Sequence, residues 1–204
     1  MIRNIVFDMG QVIIRFDPQL FLDRFSINAT ERELLRNEIF NSVEWVMTDH
    51  GILDATGAAE NIKKRLPEHL HSIADNLICH WFEPLLIVEE IEPFIRELKE
   101  NGYTIWLLSN AGTNQPVYWE KVPFHGLFNG TMISAEIGMM KPDPRIYRCF
   151  TERFELNPDE CLFIDDNPSN VEAAVCCGWK GIVFHGNVSE LREKACKLGV
   201  QCFI

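Results

Sequence analysis

The sequence predicts an α/β protein with a parallel β-sheet and a helical segment inserted after the first strand. Two observations support this fold class. Short apolar runs rich in β-branched residues, typical of buried strands, alternate with longer amphipathic runs typical of helices. Residues 21–86 interrupt this alternation, because they show helical patterning and little strand signal. Strands that alternate with helices form parallel sheets through right-handed crossovers.

The predicted strands and helices follow one another in order along the chain. The first strand occupies residues 2–7 and runs directly into an acidic residue, a methionine and a glycine. Further strands are predicted at residues 103–108, 131–134, 161–164 and 181–184. The helices that separate or follow them are predicted at residues 87–99, 115–121, 144–154, 169–177 and 189–198.

The inserted segment has its own helix signals. The run from Thr30 to Glu33 has the pattern of a capping box, which begins a helix. A second helix is predicted to begin near Asp54, and a third covers residues 69–82. We therefore expect an α/β core of residues 1–15 and 86–204, together with a helical domain of residues 16–85.

Composition and charge restrict the class of protein. The hydrophobic content of 47% and charged content of 24% are ordinary for a globular protein. No apolar run approaches the ~18 residues that a transmembrane helix needs. The net charge of −11 argues against broad binding to nucleic acid or acidic membranes. A phosphorylated ligand remains compatible with that charge, because a divalent cation and local amides can reverse the field within a site.

The cysteines predict a reducing environment. There are seven of them, an odd number, and none forms a C-x-x-C pair. That spacing does not suit a structural zinc site, and a disulfide scaffold is typically shorter and less hydrophobic. The chain also begins with a strand rather than a signal-peptide pattern. We therefore expect a cytoplasmic protein in which the cysteines act as small buried hydrophobic residues.

Polar side chains follow three of the predicted strands, and a lysine precedes a later helix. These residues are Asp8, Ser109, Asn110, Asp165, Asp166 and Lys141. Each is ordinary alone, because such residues commonly form turns, helix caps or solvated surface. Together they are informative, since the carboxyl ends of parallel strands meet at one edge of the sheet, where ligands bind.

Four segments in this order resemble the motifs of the haloacid dehalogenase (HAD) superfamily. They are FDMGQV around Asp8, LLSN ending at Asn110, MKPDPRIY containing Lys141, and FIDDNPSN containing the acid pair. The resemblance implies a Rossmann-like three-layer core, and the inserted helices resemble the small α-helical C1 cap. The sequence is most similar to the sugar-phosphate phosphatases of that superfamily, including glucose-1-phosphatase-like members.

The resemblance implies a magnesium site. Asp8, the Gly10 backbone carbonyl and Asp166 would supply oxygen ligands, which suit a hard cation such as Mg²⁺. Asp165 is then either a weaker ligand or an acceptor for a metal-bound water. Asp166 is expected to be the direct ligand of the acid pair.

The resemblance also implies how a phosphoester would be bound and attacked. Asp8 would attack phosphorus and form an aspartyl-phosphate, which divides one displacement into two easier steps. The Ser109 hydroxyl and the Asn110 amide would hold phosphate oxygens. Lys141 would neutralise charge on Asp8 and on the transferring group.

One position departs from the family pattern. Most phosphatases of this superfamily carry a second aspartate two residues after the nucleophile, where this chain has Gly10. That aspartate is a general acid–base, a role worth typically ~10²–10⁴ in rate. Three explanations compete: the substrate carries an easier leaving group; a residue of the helical domain (Asp17, Asp49 or His50) substitutes; or turnover is slow or absent.

These observations predict a Mg²⁺-dependent phosphatase for small phosphomonoesters, with sugar phosphates the expected substrates. Two alternatives remain: an L-2-haloacid dehalogenase, and a non-catalytic regulatory module that binds metal and phosphate. The expected partner is a small phosphorylated metabolite, and no binding to nucleic acid or membranes is expected. The expected oligomeric state is a monomer or homodimer. Phe16, Trp45, Asp49 and Trp81 are the candidate residues for lining the substrate pocket, and a cap that closes would exclude water.

Overall fold

The computed structural model describes residues 1–202, and within them a five-stranded parallel sheet forms the centre of the molecule. The sheet order is β3-β2-β1-β4-β5. The strands are β1 (Asn4–Phe7), β2 (Thr104–Ser109), β3 (Gly130–Ile133), β4 (Cys161–Asp165) and β5 (Lys180–Val183). All four pairings are parallel, which confirms the predicted α/β class.

Helices connect the strands and cover the sheet. Five α-helices lie within residues 16–85: α1 (Pro18–Leu22), α2 (Ala29–Leu35), α3 (Val43–Asp49), α4 (Ala55–Lys63) and α5 (His71–Cys79). The others are α6 (Ile91–Glu100), α7 (Gln115–Trp119), α8 (Ser134–Ile137), α9 (Pro144–Arg153), α10 (Pro168–Cys176) and α11 (Val188–Lys197). No helix of residues 1–202 is both long and apolar enough to cross a membrane.

The sheet is buried on both faces because alternate side chains of each strand point in opposite directions. In β1, Ile5 and Phe7 belong to one apolar cluster, which includes Phe94 of α6 and Leu191 of α11. Val6 points the other way, into a second cluster that α9 and α10 supply. The result is the three-layer arrangement of helices, sheet and helices that the sequence predicts.

Several helix boundaries differ from those predicted, and two of the differences have an identifiable hydrogen bond as their cause. The capping box lies at Asn28, whose side chain accepts from the Glu31 backbone N–H while the Glu31 carboxylate accepts from the Asn28 backbone N–H. Helix α2 therefore begins before Thr30, the residue expected as its cap. Helix α6 begins at Ile91, later than expected, because the Val88 backbone N–H donates to the Ile13 carbonyl and fixes an extended conformation there.

The helical segment, residues 16–85, leaves and rejoins the core through adjacent extended chains. The Arg15 backbone N–H donates to the Leu86 carbonyl at 2.7 Å, and Ile14 forms an antiparallel bridge with Ile87. These pairs fix both ends of the segment beside β1. The predicted limits of the helical domain, residues 16 and 85, lie next to this bridge and stay a prediction.

The helical segment also contacts the core close to the end of β2. The buried Ser134 hydroxyl donates to the Asp49 carbonyl at 2.5 Å and accepts from the Ala111 backbone N–H at 2.9 Å. Gly51 has a φ of +72°, and a Cβ there would overlap the Ala135 carbonyl oxygen. The turn after α3 can therefore approach the core this closely only with glycine at position 51.

We predict that Gly51→Ala destabilises the protein more than Gly102→Ala. Both glycines have positive φ, but a Cβ at Gly102 meets nothing within 4 Å. The left-handed conformation costs a non-glycine residue about 1–2 kcal/mol, and overlap adds about 1–3 kcal/mol at position 51 alone. Urea unfolding measures both free energies. Equal losses for the two variants would show that the contact with Ala135 contributes nothing to stability.

Candidate active site

Three strands place acidic and hydroxyl side chains at one edge of the sheet. Asp8 directly follows β1, and its backbone N–H donates to the Ile164 carbonyl of β4 at 2.8 Å. Ser109 and Asp165 are the last residues of β2 and β4. Because Phe7 lies level with Leu107 and Ile164 in the sheet, these strand ends are neighbours. This is the edge where open α/β sheets bind ligands.

A buried lysine joins two of the acids. Lys141 Nζ lies 2.7 Å from Asp8 Oδ1 and 2.6 Å from Asp165 Oδ2, and the residue is only 3% exposed. The Asn110 side chain fixes the lysine backbone: its Nδ2 donates to the Lys141 carbonyl at 2.9 Å, and its Oδ1 accepts from the Lys141 N–H at 2.8 Å. Lys141 is therefore fixed at its backbone by Asn110 and at its ammonium group by the two carboxylates.

The charges of this cluster shift one another's pKa values. Burial alone would lower the pKa of Lys141, but the adjacent charges of Asp8 and Asp165 outweigh it and raise that pKa. Burial raises the pKa of Asp8 to about 6, against the lowering effect of Lys141 and together with the charge of Asp165. Asp8 and Asp165 form ion pairs with one ammonium, and Asp166 lies in the same cluster. An additional cation would therefore favour the ionised forms of the three carboxylates.

The acids have the composition and spacing of a metal site. One carboxylate oxygen each from Asp8, Asp165 and Asp166 lies within 4.8 Å of the others. Asp165 is fully buried and already accepts from the Lys141 ammonium, the Asn167 backbone N–H and the Asn170 side chain. Asp166 is exposed and lines the adjacent cavity. An all-oxygen set of this kind fits a hard divalent cation such as Mg²⁺.

A cavity of about 250 Å³ lies between this edge of the core and the helical segment. Five of the seven predicted site residues line its floor. The other two, Lys141 and Asp165, lie behind the floor and are joined to Asp8 through the Lys141 ion pairs. The five lining residues are Asp8, Gly10, Ser109, Asn110 and Asp166. The Asn110 side-chain amide is engaged with Lys141, which leaves the Asn110 backbone N–H for a phosphate oxygen.

Of the three acid–base candidates in the helical segment, one lines the cavity. Asp49, at the end of α3, is part of the wall. Burial and the charge of Asp8 raise the pKa of Asp49 to about 7. Asp17 instead caps α1 by accepting from the Gln19 backbone N–H, and His50 is not among the lining residues.

Sequence reasoning missed two residues of this region. Tyr118 of α7 is buried in the cavity wall, and burial together with the charges of Asp49 and Asp8 raises its pKa. Ser134 links the helical segment to the loop after β2. A tyrosine in a predicted helix and a serine at a strand end carry no sequence signal for these positions, because both depend on long-range packing.

Comparisons with known proteins show which family this chain resembles in sequence. The family model described as haloacid dehalogenase-like hydrolase matches residues 2–178. Flavin mononucleotide hydrolase 1 of Arabidopsis thaliana is 32% identical over 95 residues, which cover 45% of this chain and 38% of that protein. Sesquiterpene phosphatase astK of Aspergillus oryzae is 24% identical over 184 residues, or 87% of each chain.

A solved structure shares the fold. The HAD family enzyme of Bacteroides thetaiotaomicron in complex with magnesium and inorganic phosphate superposes with a TM-score of 0.69 at 22% identity, covering 94% of this chain and 99% of that one. Among the curated relatives, the chain spans 38%, 34% and 13% of the length of three matched proteins. With a family match over residues 2–178, the chain belongs to the haloacid dehalogenase-like hydrolases.

Proposed function

We propose that this chain is a Mg²⁺-dependent phosphatase that hydrolyses small phosphomonoesters through an aspartyl-phosphate on Asp8. The observation that carries the proposal is the Lys141 ammonium held 2.7 Å from Asp8 and 2.6 Å from Asp165 at the floor of the cavity. Phosphatases among the relatives support the same chemistry. A nucleophilic carboxylate needs this kind of countercharge to accept a phosphate dianion.

In the first step, an Asp8 carboxylate oxygen attacks phosphorus and the bond from phosphorus to the leaving oxygen breaks. Lys141 stabilises the charge that is shared between Asp8 and the phosphoryl group. The Ser109 hydroxyl and the Asn110 backbone N–H orient phosphoryl oxygens. Asp8, the Gly10 carbonyl and Asp166 would hold Mg²⁺, which would supply positive charge to the phosphoryl oxygens beside the acids.

The leaving oxygen needs a proton, and we propose that Asp49 supplies it. Gly10 has no side chain to do so, whereas Asp49 is the acid that faces the cavity from the helical segment. Its pKa of about 7 keeps part of the population protonated at neutral pH. In the second step water attacks phosphorus, Asp49 takes the water proton, and Asp8 leaves as the free carboxylate.

The two alternative functions, a haloacid dehalogenase and a binding module, make different predictions. A haloacid dehalogenase would release chloride from 2-chloropropionate in the presence of EDTA, but the paired acids near Asp8 repel a haloacid carboxylate. A binding module would hold metal and phosphate without turnover. The sugar-phosphate preference, the glucose-1-phosphatase likeness, the role of the helical segment as a cap and the cytoplasmic location stay predictions.

We predict that Asp8→Asn abolishes Mg²⁺-dependent phosphate release, because an amide is not a nucleophile towards phosphorus. A release assay with p-nitrophenyl phosphate measures this, and EDTA should lower the wild-type rate to the same background. Asp159→Asn is the matched control, since Asp159 is an exposed acid outside the site. Equal rates in wild type and Asp8→Asn would leave only the binding module.

We predict that Gly10→Asp raises turnover of simple alkyl phosphates when it is introduced into the Asp49→Asn protein, which lacks the proposed proton donor. A Cβ at Gly10 meets nothing within 4 Å, so the side chain has room, and it adds a second acid–base group near the phosphoryl site. General acid–base groups contribute typically ~10²–10⁴ in rate. Gly10→Asn is the control, because it has the same size without an ionisable proton. An unchanged rate on adding Gly10→Asp to the Asp49→Asn protein would show that an acid at position 10 cannot replace Asp49 in proton transfer.

We predict that Asp49→Asn slows hydrolysis of alkyl phosphates far more than that of p-nitrophenyl phosphate, whose leaving group needs no proton. The loss on alkyl phosphates is expected to be about 10²-fold or more. Wild-type kcat for alkyl phosphates should fall as pH rises above about 7, because Asp49 then loses its proton. This alkaline decline should disappear in the variant.

The neighbouring His50 provides the control for Asp49. His50→Gln changes the next residue of the same turn, which is not among the lining residues, and should keep the wild-type ratio of the two rates. If Asp49→Asn lowers both substrates equally, Asp49 serves binding or folding and not proton transfer.

A further inference from the structure

We propose that the helical segment forms an apolar pocket for the leaving group, which selects phosphomonoesters of compact aromatic or branched aliphatic alcohols. The inference rests on the proposed phosphatase function and names its substrate class. It differs from the sugar-phosphate expectation of the sequence, because it derives from the residues that line the far end of the cavity.

The cavity has two chemically distinct ends. Its floor consists of strand ends with charged and polar groups, among them Asp8, Ser109 and Asp166. The opposite end is built from the helical segment, and its side chains are predominantly apolar. These residues are Phe16, Trp45, Ala55, Ala58, Ile62, Ile78 and Trp81. A phosphoryl group on the floor therefore directs its alcohol into apolar surroundings.

The aromatic side of this pocket is a set of rings in contact. Phe16 lies 5.5 Å from Trp45 and 5.1 Å from Trp81, measured between ring centroids. Trp81 lies 5.0 Å from Tyr118 of the core in an edge-on arrangement. Such offset and edge-on rings pack firmly against one another and present apolar faces and edges to a ligand.

The aliphatic side comes from two packed helices. Ala58 and Ile62 lie one turn apart on α4, and Ile78 lies on α5; all three are buried. Thr48 adds a hydroxyl to the wall, but that hydroxyl donates to the Trp45 carbonyl at 2.7 Å. The polar atom of Thr48 is thus already engaged within its own helix.

This lining disfavours a sugar. A hydroxyl moved from water into an apolar pocket without a partner costs roughly 1–3 kcal/mol by protein mutational data. A hexose would bring several such groups against rings and methyl groups. The volume of about 250 Å³ is also smaller than the ~300–1,000 Å³ that drug-sized ligands occupy, which favours a small alcohol.

Three primary phosphomonoesters test the class directly: benzyl phosphate, cyclohexylmethyl phosphate and glucose 6-phosphate. With Mg²⁺ present, we expect kcat/KM for the first two to exceed that for glucose 6-phosphate by about ten-fold or more, the scale at which hydrophobic pockets discriminate. Equal values, or a preference for glucose 6-phosphate, overturn the proposal.

A variant that fills the pocket tests its location. Ala58→Leu should reduce kcat/KM for benzyl phosphate about ten-fold more than for acetyl phosphate, whose leaving group is too small to reach α4. Ala55→Leu, at a half-buried position of the same wall, provides the same test if Ala58→Leu does not fold. Val46→Leu is the control, because Val46 is 49% exposed on α3 and outside the wall.

Calorimetry separates this proposal from the proposed function. Benzylphosphonate is not hydrolysed, and its binding to the wild-type protein with Mg²⁺ should show a negative heat-capacity change that inorganic phosphate lacks. If no substrate releases phosphate but this signature is present, the phosphatase function fails and the apolar pocket stands. If acetyl phosphate is hydrolysed but the signature is absent, the apolar pocket fails alone.

Discussion

The site depends on one buried ammonium group placed between two carboxylates. Lys141 belongs to a loop before α9, whereas Asp8 and Asp165 belong to β1 and β4, so the two ion pairs connect three separate parts of the chain. Burying any of these charges alone is costly, and removing one partner of a buried pair typically costs about 3–5 kcal/mol. The position of the lysine loop and the ionisation of Asp8 and Asp165 are therefore coupled.

The core could be predicted from the sequence because local patterns and topology agree there. Each strand is a short apolar run, and parallel pairing carries the residues at their carboxyl ends to one edge, so Asp8, Ser109 and Asp165 required only the strand assignments. The sequence could not predict the neighbours that depend on packing between distant segments. Tyr118 and Ser134 belong to ordinary helix and strand-end patterns, and their position beside Asp49 arises only when the helical segment contacts the core.

The boundaries that differed have local physical causes. Residues Asn28 and Thr30 each have a glutamate three residues later, and the reciprocal capping box forms at Asn28 with Glu31. The pattern of residues 87–99 is helical throughout, but a tertiary strand pairing with Ile13 takes the first residues from the helix. Both cases show local propensity deciding that a helix exists, while a competing hydrogen bond decides where it begins.

The absence of an aspartate at position 10 and the position of Asp49 bear on the same question, which group would protonate the leaving oxygen. The pKa of Asp49 is raised chiefly by burial and also by the charge of Asp8, and both causes require the helical segment to lie against the core. An open segment would hydrate Asp49, lower its pKa and remove the proton that the leaving oxygen needs. Closure over the cavity would therefore exclude water, place the alcohol against the aromatic rings and create the proton donor at once. Under the proposed mechanism, proton donation by Asp49 would therefore depend on the same contact between helical segment and core that forms the proposed leaving-group pocket.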